Sequence, residues 1–377
     1  MKLAWITLII ALAIASPQFW LRLDAPSNLQ PIFLLAFIFF ALFKGKVSIP
    51  SRLAPRLVLL GFFTLFMAGL LSLPFAREFE LFKQEFYRRI ILFLFFIAAY
   101  TAASTSDKLF RSVTYVAVVT TIIYLATMVL YYIGWDVLSE SGAFDSYPFG
   151  LIFPIAVYNN PLIFSETQVM GYFIIGAAML HFAKASKTFW SLLLAGMLQF
   201  GKGPIIGYAA SLLPKLSRVL MILVLPLVFF IAATSYSGAP RFDGDFGSLS
   251  ERVFHANFVL HSLLEHPLLG ALGYGFRQYG TYVQFISGDF NQDTQPLSVM
   301  QWFFEAGVPL ALFGLIALFA GTVVLSGKRW LPVGIYLFIG HLALPNPVDP
   351  AVLLLFALFS AQINGFPKNS NEQRNIS

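Results

Sequence analysis

Apolar runs separated by short polar segments extend from one end of this chain to the other. A helix needs roughly 20 apolar residues to cross the hydrocarbon core of a bilayer. In lipid, helices and closed barrels are the only spanning structures that bond all of their backbone polar groups. The pattern therefore predicts an all-α polytopic membrane protein of about twelve transmembrane helices, with 1–377 as a single transmembrane domain. The apolar runs lie near 3–20, 29–44, 56–74, 88–104, 109–134, 166–183, 188–200, 203–214, 217–236, 298–326, 330–345 and 350–364.

The first of these runs is interpreted as a span. Ser16-Pro17-Gln18-Phe19-Trp20 follows it and lacks the small-x-small pattern of a signal-peptide cleavage site. The seventh and eighth runs are short and flank Gly201-Lys202-Gly203-Pro204, so they are two spans or one broken helix. The distribution of Lys and Arg along the chain favours two separate spans.

One polar interruption, over 237–297, is much longer than the others and is predicted to be a large loop between spans nine and ten. Ser248-Leu249-Ser250-Glu251 has the form of a capping box and predicts an amphipathic helix over 249–266, ended by Pro267. Gly270, Gly273 and Gly275 predict a flexible turn after it. The predicted apolar stripe of the helix is Val253, Leu260, Leu263 and Leu264, while another stripe holds Arg252, His255, Val259 and Ser262.

Composition supports the membrane class, since 58% of residues are hydrophobic and only 11% are charged. The absence of cysteine excludes disulfides and thiolate chemistry. The net charge of +6 does not indicate nucleic-acid binding, because the basic residues follow the topology. If all twelve segments cross and Met1 is cytoplasmic, 15 Lys and Arg but only Asp107 and Glu372 lie inside. The positive-inside rule then predicts cytoplasmic termini and a periplasmic 237–297 loop.

Basic residues nevertheless recur on the predicted outer side. A charged and aromatic segment over 77–89, typical of an interfacial helix, ends in Arg88 and Arg89 at the start of span four. Arginine binds phosphate through a planar fork and a permanent charge. A diphosphate at the membrane surface, carried on a polyprenyl tail and bearing a sugar, is the ligand that these groups suggest. The six candidate basic residues are Arg88, Arg89, Lys202, Arg241, Arg252 and Arg277.

Four motifs in and after the long loop resemble those of the O-antigen ligase and Wzy-type polymerase superfamily of membrane glycosyltransferases. They are Ser250-Glu251-Arg252, Leu264-Glu265-His266-Pro267-Leu268-Leu269-Gly270, Gly273-Tyr274-Gly275, and Trp302-Phe303-Phe304-Glu305-Ala306-Gly307. The resemblance covers about 60 residues, and the twelve-span layout is also similar. It implies that Arg252 contacts the lipid diphosphate, with Lys202 standing where the family often has an arginine.

The resemblance further implies a bacterial inner-membrane enzyme that acts on undecaprenyl-diphosphate-linked glycans without a cofactor or metal. A sugar hydroxyl attacks the anomeric carbon, the diphosphate leaves, and a base accepts the proton. The candidate bases are Asp293, Glu166, His255 and Glu305, although Glu305 equally suits a buried partner of an arginine. A chain-length regulator and a flippase are expected partners, together with membrane lipid and no nucleic acid.

Three functions remain open on the sequence. A polymerase builds an O-antigen or capsule-type polysaccharide from lipid-linked repeat units, whereas a ligase transfers the polymer to the lipid A core of lipopolysaccharide. Ligases of the family carry a loop histidine where this chain reads Asp293-Thr294-Gln295-Pro296-Leu297, which favours a polymerase. A lipid-linked glycan transporter is the third function, although its expected internal repeat is not apparent. A non-catalytic membrane scaffold is a further alternative, but a scaffold would not need arginines clustered on its outer side.

Overall fold

In the computed structural model, most of the predicted apolar runs form helices. The described residues are 3–22, 26, 29–43, 47–133, 162–164, 167–183, 188–197, 202–212, 248–282, 298–344 and 348–365. The predicted ninth span at 217–236 and most of the predicted outer loop after span five lie outside them.

Fifteen α-helices make up the described part of the chain, which is all-α. The first nine are α1 (Leu3–Ile14), α2 (Pro17–Arg22), α3 (Leu29–Phe43), α4 (Leu53–Ala68), α5 (Phe79–Thr105), α6 (Lys108–Tyr132), α7 (Thr167–Ala183), α8 (Thr188–Met197) and α9 (Lys202–Leu212). The remaining six are α10 (Ser248–Glu265), α11 (Pro267–Leu272), α12 (Ser298–Ala306), α13 (Val308–Phe319), α14 (Leu331–Leu342) and α15 (Pro350–Asn364). A 3₁₀ segment, Gly69–Phe75, extends α4, and a π-helical turn, Ala320–Val324, extends α13.

Three described helical segments are long and apolar enough to cross a membrane, namely Leu53–Phe75, Phe79–Thr105 and Lys108–Leu130. Seven more described segments are apolar but hold 10–17 residues each. The helices therefore indicate a membrane protein, and the prediction of twelve spans remains a prediction.

Close helix crossings occur where two glycines face each other. A Cβ on Gly61 of α4 would lie 2.8 Å from the carbonyl oxygen of Gly314 in α13. In the same way, a Cβ on Gly207 of α9 would lie 3.2 Å from the Cα of Gly340 in α14. Small residues permit this approach, which is the usual means of packing helices in lipid.

Two predicted spans are interrupted. The run 3–20 breaks between α1 and α2 because Ser16 caps the second helix, its Oγ accepting from the Phe19 amide at 3.2 Å. The run 298–326 breaks at Gly307, whose φ of +74° lies outside the helical region. Conversely, the predicted interfacial helix over 77–89 and span four form the single helix α5, because neither proline nor glycine interrupts the sequence from Phe79 to Thr105.

A helix, α10, occupies the predicted position in the long loop, and its buried face includes Leu263 of the predicted apolar stripe but not Leu264. Val259 is fully buried and Ser262 is nearly so, whereas Leu264 is 68% exposed. The face that contacts the protein therefore combines Leu263 with Val259 and Ser262 of the second stripe, on the side where α10 packs against α12. The predicted turn after this helix begins with α11, where the Gly270 amide donates to the His266 carbonyl at 2.7 Å.

Arginines at one end of the bundle bond to backbone carbonyls of neighbouring segments. Arg52, at the start of α4, donates to the Ile363 carbonyl near the end of α15 at 2.8 Å. Arg329 donates to the Ala183 carbonyl at the end of α7, and Arg56 donates to the Pro50 carbonyl at 2.8 Å. The Ile363 and Ala183 carbonyls lie near helix C-termini, where cations interact favourably with the terminal carbonyls. The predicted topology places all three arginines inside.

Candidate functional site

A buried arginine lies at the centre of the candidate site. Arg89 of α5 has no exposed surface, and its Nε donates to Glu85 Oε1 at 3.1 Å. Its Nη2 forms an ion pair with Glu305 of α12. The guanidinium also lies 4.3 Å from the ring centroid of Phe276. Because a buried charge is very costly without partners, two carboxylates and an aromatic face account for its place here.

Arg88 precedes Arg89 in the sequence, and its guanidinium reaches the protein surface. Its Nη1 donates to Glu85 Oε2 at 3.1 Å, so Glu85 bonds to both arginines. Its Nη2 donates to the Val348 carbonyl at 3.1 Å, directly before α15. The side chain is 42% exposed. Arg88 therefore joins α5 to the start of α15 and keeps a solvent-accessible cationic surface.

The carboxylate of Glu305 is fully used within the protein. Its Oε1 accepts from the Arg277 amide at 3.1 Å and from Gln301 Nε2 at 3.0 Å, while Oε2 pairs with Arg89. Glu305 has no exposed surface. This arrangement favours Glu305 as a buried partner of arginine over Glu305 as a catalytic base, because both oxygens are engaged and no solvent reaches them.

The motifs around Gly273 and Gly307 pack directly against each other. The Tyr274 amide donates to the Phe304 carbonyl at 2.8 Å, and the Gly275 amide donates to the Glu305 carbonyl at 3.3 Å. A Cβ on Gly273 would lie 2.2 Å from the Glu305 carbonyl oxygen, and its φ is +87°. A Cβ on Gly307 would lie 2.3 Å from the Ala271 carbonyl oxygen. Both positions therefore require glycine.

Arg277 follows this contact in an unusual backbone conformation. Its φ of +56° is uncommon for a residue with a side chain. The bond from its amide to Glu305 holds it there. Its side chain is exposed, and no ion pair joins its guanidinium to another residue in the described ranges. Glu305 thus fixes the backbone of an accessible arginine beside Arg88 and Arg89.

An aromatic cluster attaches α10 to the same site. Tyr274 stacks on Phe304 with ring centroids 4.3 Å apart, and the edges of Tyr279 and Tyr282 meet Phe304. The Tyr274 hydroxyl donates to the Ser262 carbonyl of α10 at 2.6 Å. Burial raises the pKa of the Tyr274 phenol to about 12, so the donor stays protonated at neutral pH.

Gln278 connects the turn to the start of α5. Its Oε1 accepts from the amides of Arg77 and Glu78 at 3.0 and 3.1 Å, and its Nε2 donates to the Glu78 carbonyl at 3.2 Å. The guanidinium of Arg77 lies 4.3 Å from the Tyr282 ring centroid. The candidate site is therefore formed where α5, α10, α12 and the start of α15 meet.

The structure brings together four of the predicted site residues: Arg88, Arg89, Arg277 and Glu305. Arg252 and His255 lie on α10 and Lys202 begins α9, but their side chains lie outside the described part. Arg241, Asp293 and Glu166 also lie outside the described residues. Within the described ranges, no group of three or more His, Asp or Glu side chains suits a metal ion.

Sequence reasoning missed Glu85, Gln278 and Gln301. Glu85 had a usable signal, because it precedes Arg88 and Arg89 by three and four positions, the spacing of neighbours on one helix face. Gln301 stands four positions before Glu305 in the same way. The bonds from Gln278 to residues about 200 positions away had no local signal.

Neither a protein-family model nor a curated protein matches this chain.

Proposed function

We propose that this chain is a membrane glycosyltransferase that polymerises undecaprenyl-diphosphate-linked oligosaccharide repeat units into a surface polysaccharide. It would act at the outer face of a bacterial inner membrane. The observation that carries the proposal is the direct packing of the Gly273 turn on the Glu305–Gly307 motif beside Arg88, Arg89 and Arg277. These motifs carry the resemblance to the O-antigen ligase and Wzy-type polymerase superfamily. Their packing places them beside Arg88, Arg89 and Arg277, which we call the cationic cluster.

The charges of the described cluster divide into internal and accessible parts. Glu85 and Glu305 are buried and bonded to arginines. Asp349, a third nearby carboxylate, is buried and caps α15, accepting from the Ala351 amide at 2.8 Å. The accessible groups are the guanidiniums of Arg88 and Arg277. Because Glu85, Glu305 and Asp349 are buried, the exposed guanidiniums of Arg88 and Arg277 suit an anionic ligand.

Three carboxylates offset three guanidiniums in this cluster, so a tightly bound diphosphate requires further positive charge. Arg252 is the best candidate. In the helical repeat it lies one turn before Ala256 and two before Val259, both buried on the protein-facing side of α10. Arg241 and Lys202 are the remaining proposed diphosphate ligands.

The proposed reaction is a displacement at an anomeric carbon. A hydroxyl of the acceptor repeat unit forms a new bond to that carbon, and the bond from the carbon to the diphosphate oxygen breaks. The arginines stabilise the charge that develops on the leaving diphosphate. The hydroxyl proton passes to a base, for which Asp293, Glu166 and His255 remain the candidates. The donor supplies the free energy, and no metal or other cofactor is required.

The contacts between distant segments agree with a site on the outer face. Arg88 contacts Val348, and Ser298 Oγ donates to the Leu344 carbonyl at 2.7 Å. The twelve-span topology places these residues at the outer ends of their spans. Arg52 and Ile363, which also bond, fall together at the inner end. This agreement supports a multi-pass arrangement with the cationic cluster at one end of the spans, and the distribution of Lys and Arg is the reason for assigning that end to the periplasm and the termini to the cytoplasm.

The test is a reaction of the purified full-length protein with a polyprenyl-diphosphate repeat unit as sole substrate, followed on a gel. A polymerase produces a ladder, and Arg252→Ala removes it. Transfer that occurs only after lipid A core is added would make the chain a ligase. A protein without either activity that moves the intact lipid across a vesicle membrane would be a transporter.

A further inference from the structure

An open cavity of about 250 Å³ lies among the N-terminal helices, far from the cationic cluster. It is bordered by α1, α3, the last turn of α5 and the start of α6. Arg89 and Thr105 are 16 positions apart on α5, which corresponds to roughly 24 Å along the helix. Most of the lining is apolar and includes Ile6, Ile9, Phe37, Phe40, Ala41 and Leu109.

Three hydroxyl groups at the rim of this cavity already have partners. Thr101 Oγ1 accepts from the Ser48 amide at 3.3 Å, and Thr105 Oγ1 donates to the Thr101 carbonyl at 3.1 Å. Ser106 Oγ accepts from the Lys108 amide at 3.2 Å. These hydroxyls are bonded to the backbone, and the mostly apolar lining beside them is poorly suited to a sugar or a nucleotide.

The ammonium group of Lys108 is the exception. Lys108 lines the cavity and is exposed, and no ion pair joins it to another residue in the described part of the chain. Arg111, one turn further along α6, is also exposed. Asp107, the nearest acidic residue in sequence, does not line the cavity. An apolar space with one cation at its mouth matches a molecule with a hydrocarbon chain and a single anionic group.

We propose that this cavity binds one acyl chain of an anionic glycerophospholipid, whose phosphate pairs with Lys108. Basic pockets between transmembrane helices on the cytoplasmic side are suited to anionic lipid headgroups. The predicted topology places Lys108 on that side. The site differs from the cationic cluster in holding a resident membrane lipid rather than a lipid-linked sugar, and it does not depend on the proposed function.

The test titrates phosphatidylglycerol into the full-length protein in a mild detergent and counts bound lipids by native mass spectrometry. Phosphatidylcholine with the same acyl chains is titrated in parallel. The wild type binds phosphatidylglycerol more tightly. Lys108→Ala weakens that affinity about fivefold, the effect of one lysine near an anionic headgroup, and leaves phosphatidylcholine unchanged.

Lys328→Ala is the matched control, because Lys328 is an exposed lysine in a turn and does not line the cavity. Its binding stays at the wild-type level. Equal losses in both lysine variants, or no loss in Lys108→Ala, would overturn the proposal. Lys108→Glu repeats the test without changing the packing and weakens phosphatidylglycerol further.

Ala102→Leu tests the acyl-chain position. Ala102 lines the cavity and is half-buried, so a larger side chain reduces the space and weakens the binding of both lipids. Size-exclusion chromatography confirms that the variant is folded. If a folded Ala102→Leu protein binds both lipids as the wild type does, the lipid lies elsewhere and the proposal is wrong.

Discussion

The guanidinium of Arg89 forms a buried ion pair with the carboxylate of Glu305, 216 positions further along the chain. The pair joins α5 to α12. Through its other oxygen, Glu305 also holds the Arg277 amide, while Glu85 bonds to both Arg89 and Arg88. The internal ion pairs therefore set the positions of the two accessible arginines, Arg88 and Arg277.

Glu305→Gln is expected to destabilise the protein strongly. The substitution leaves Arg89 buried with Glu85 as its remaining carboxylate, and breaking a buried ion pair costs about 3 to 5 kcal/mol. Thermal unfolding in detergent measures the change. Glu80→Gln is the control, because Glu80 lies on α5, as Arg89 does, but forms an exposed ion pair with Lys83. An equal, small change in both variants would contradict the structural role of Glu305.

Gly307→Ala is expected to disrupt the packing of the turn on α12. The new Cβ would meet the Ala271 carbonyl oxygen at 2.3 Å, and φ is +74°. Gly327→Ala isolates the second effect, since Gly327 has a φ of +81° but no atom within 4 Å of a Cβ. It costs about 1 to 2 kcal/mol of backbone strain. A melting temperature for Gly307→Ala no lower than that of the control would show that the close contact is unimportant.

Arg277→Gly separates the charge of Arg277 from its backbone. Glycine adopts positive φ without strain, so folding stability stays within about 1 kcal/mol of the wild type. Loss of the guanidinium is expected to lower the polymerisation rate about 10²- to 10³-fold, the effect of removing a group that stabilises developing charge. The initial rate of ladder formation measures this. Arg111→Ala, an exposed arginine at the start of α6, retains the wild-type rate. Full activity in Arg277→Gly would remove Arg277 from the site.

Tyr274→Phe is expected to cost about 1 kcal/mol of stability, because the ring stacking on Phe304 remains while the hydrogen bond to the Ser262 carbonyl is lost. The folded pKa is raised to about 12 from 10.0, so the stabilisation is fully present below pH 10 and is lost as pH rises toward 12. Chemical unfolding therefore gives the same difference in the free energy of unfolding between wild type and variant at pH 6 as at pH 9. A difference that grows or disappears over that interval would contradict burial of the phenol.

Local signals predicted the helix ends better than the helix faces. Ser248, Glu251 and Pro267 mark both ends of α10, because capping and proline act within a few residues. Its buried face depends on Phe304 and Tyr274, which lie outside the helix, so the sequence did not show that Val259 and Ser262 are buried together with Leu263. Glycine inside an apolar run is equally ambiguous, since Gly61 permits a close crossing whereas Gly307 ends a helix.

The candidate site was predicted as a set of charges rather than as an arrangement. Arg88, Arg89, Arg277 and Glu305 were identified because ionisable residues in an apolar chain usually have a function. The sequence did not reveal that Arg89 is internal and Arg88 accessible, because adjacent positions on a helix point 100° apart and the orientation of α5 depends on its neighbours. The contact of Arg89 with Phe276 likewise requires the folded chain.

The most direct test of polymerisation counts the leaving group. The purified chain is incubated with a polyprenyl-diphosphate repeat unit alone, and free polyprenyl diphosphate is measured against the number of glycosidic bonds formed. The proposed reaction predicts one diphosphate released for every repeat unit added. Absence of both chain growth and diphosphate release, from a folded protein given a competent substrate, would contradict it.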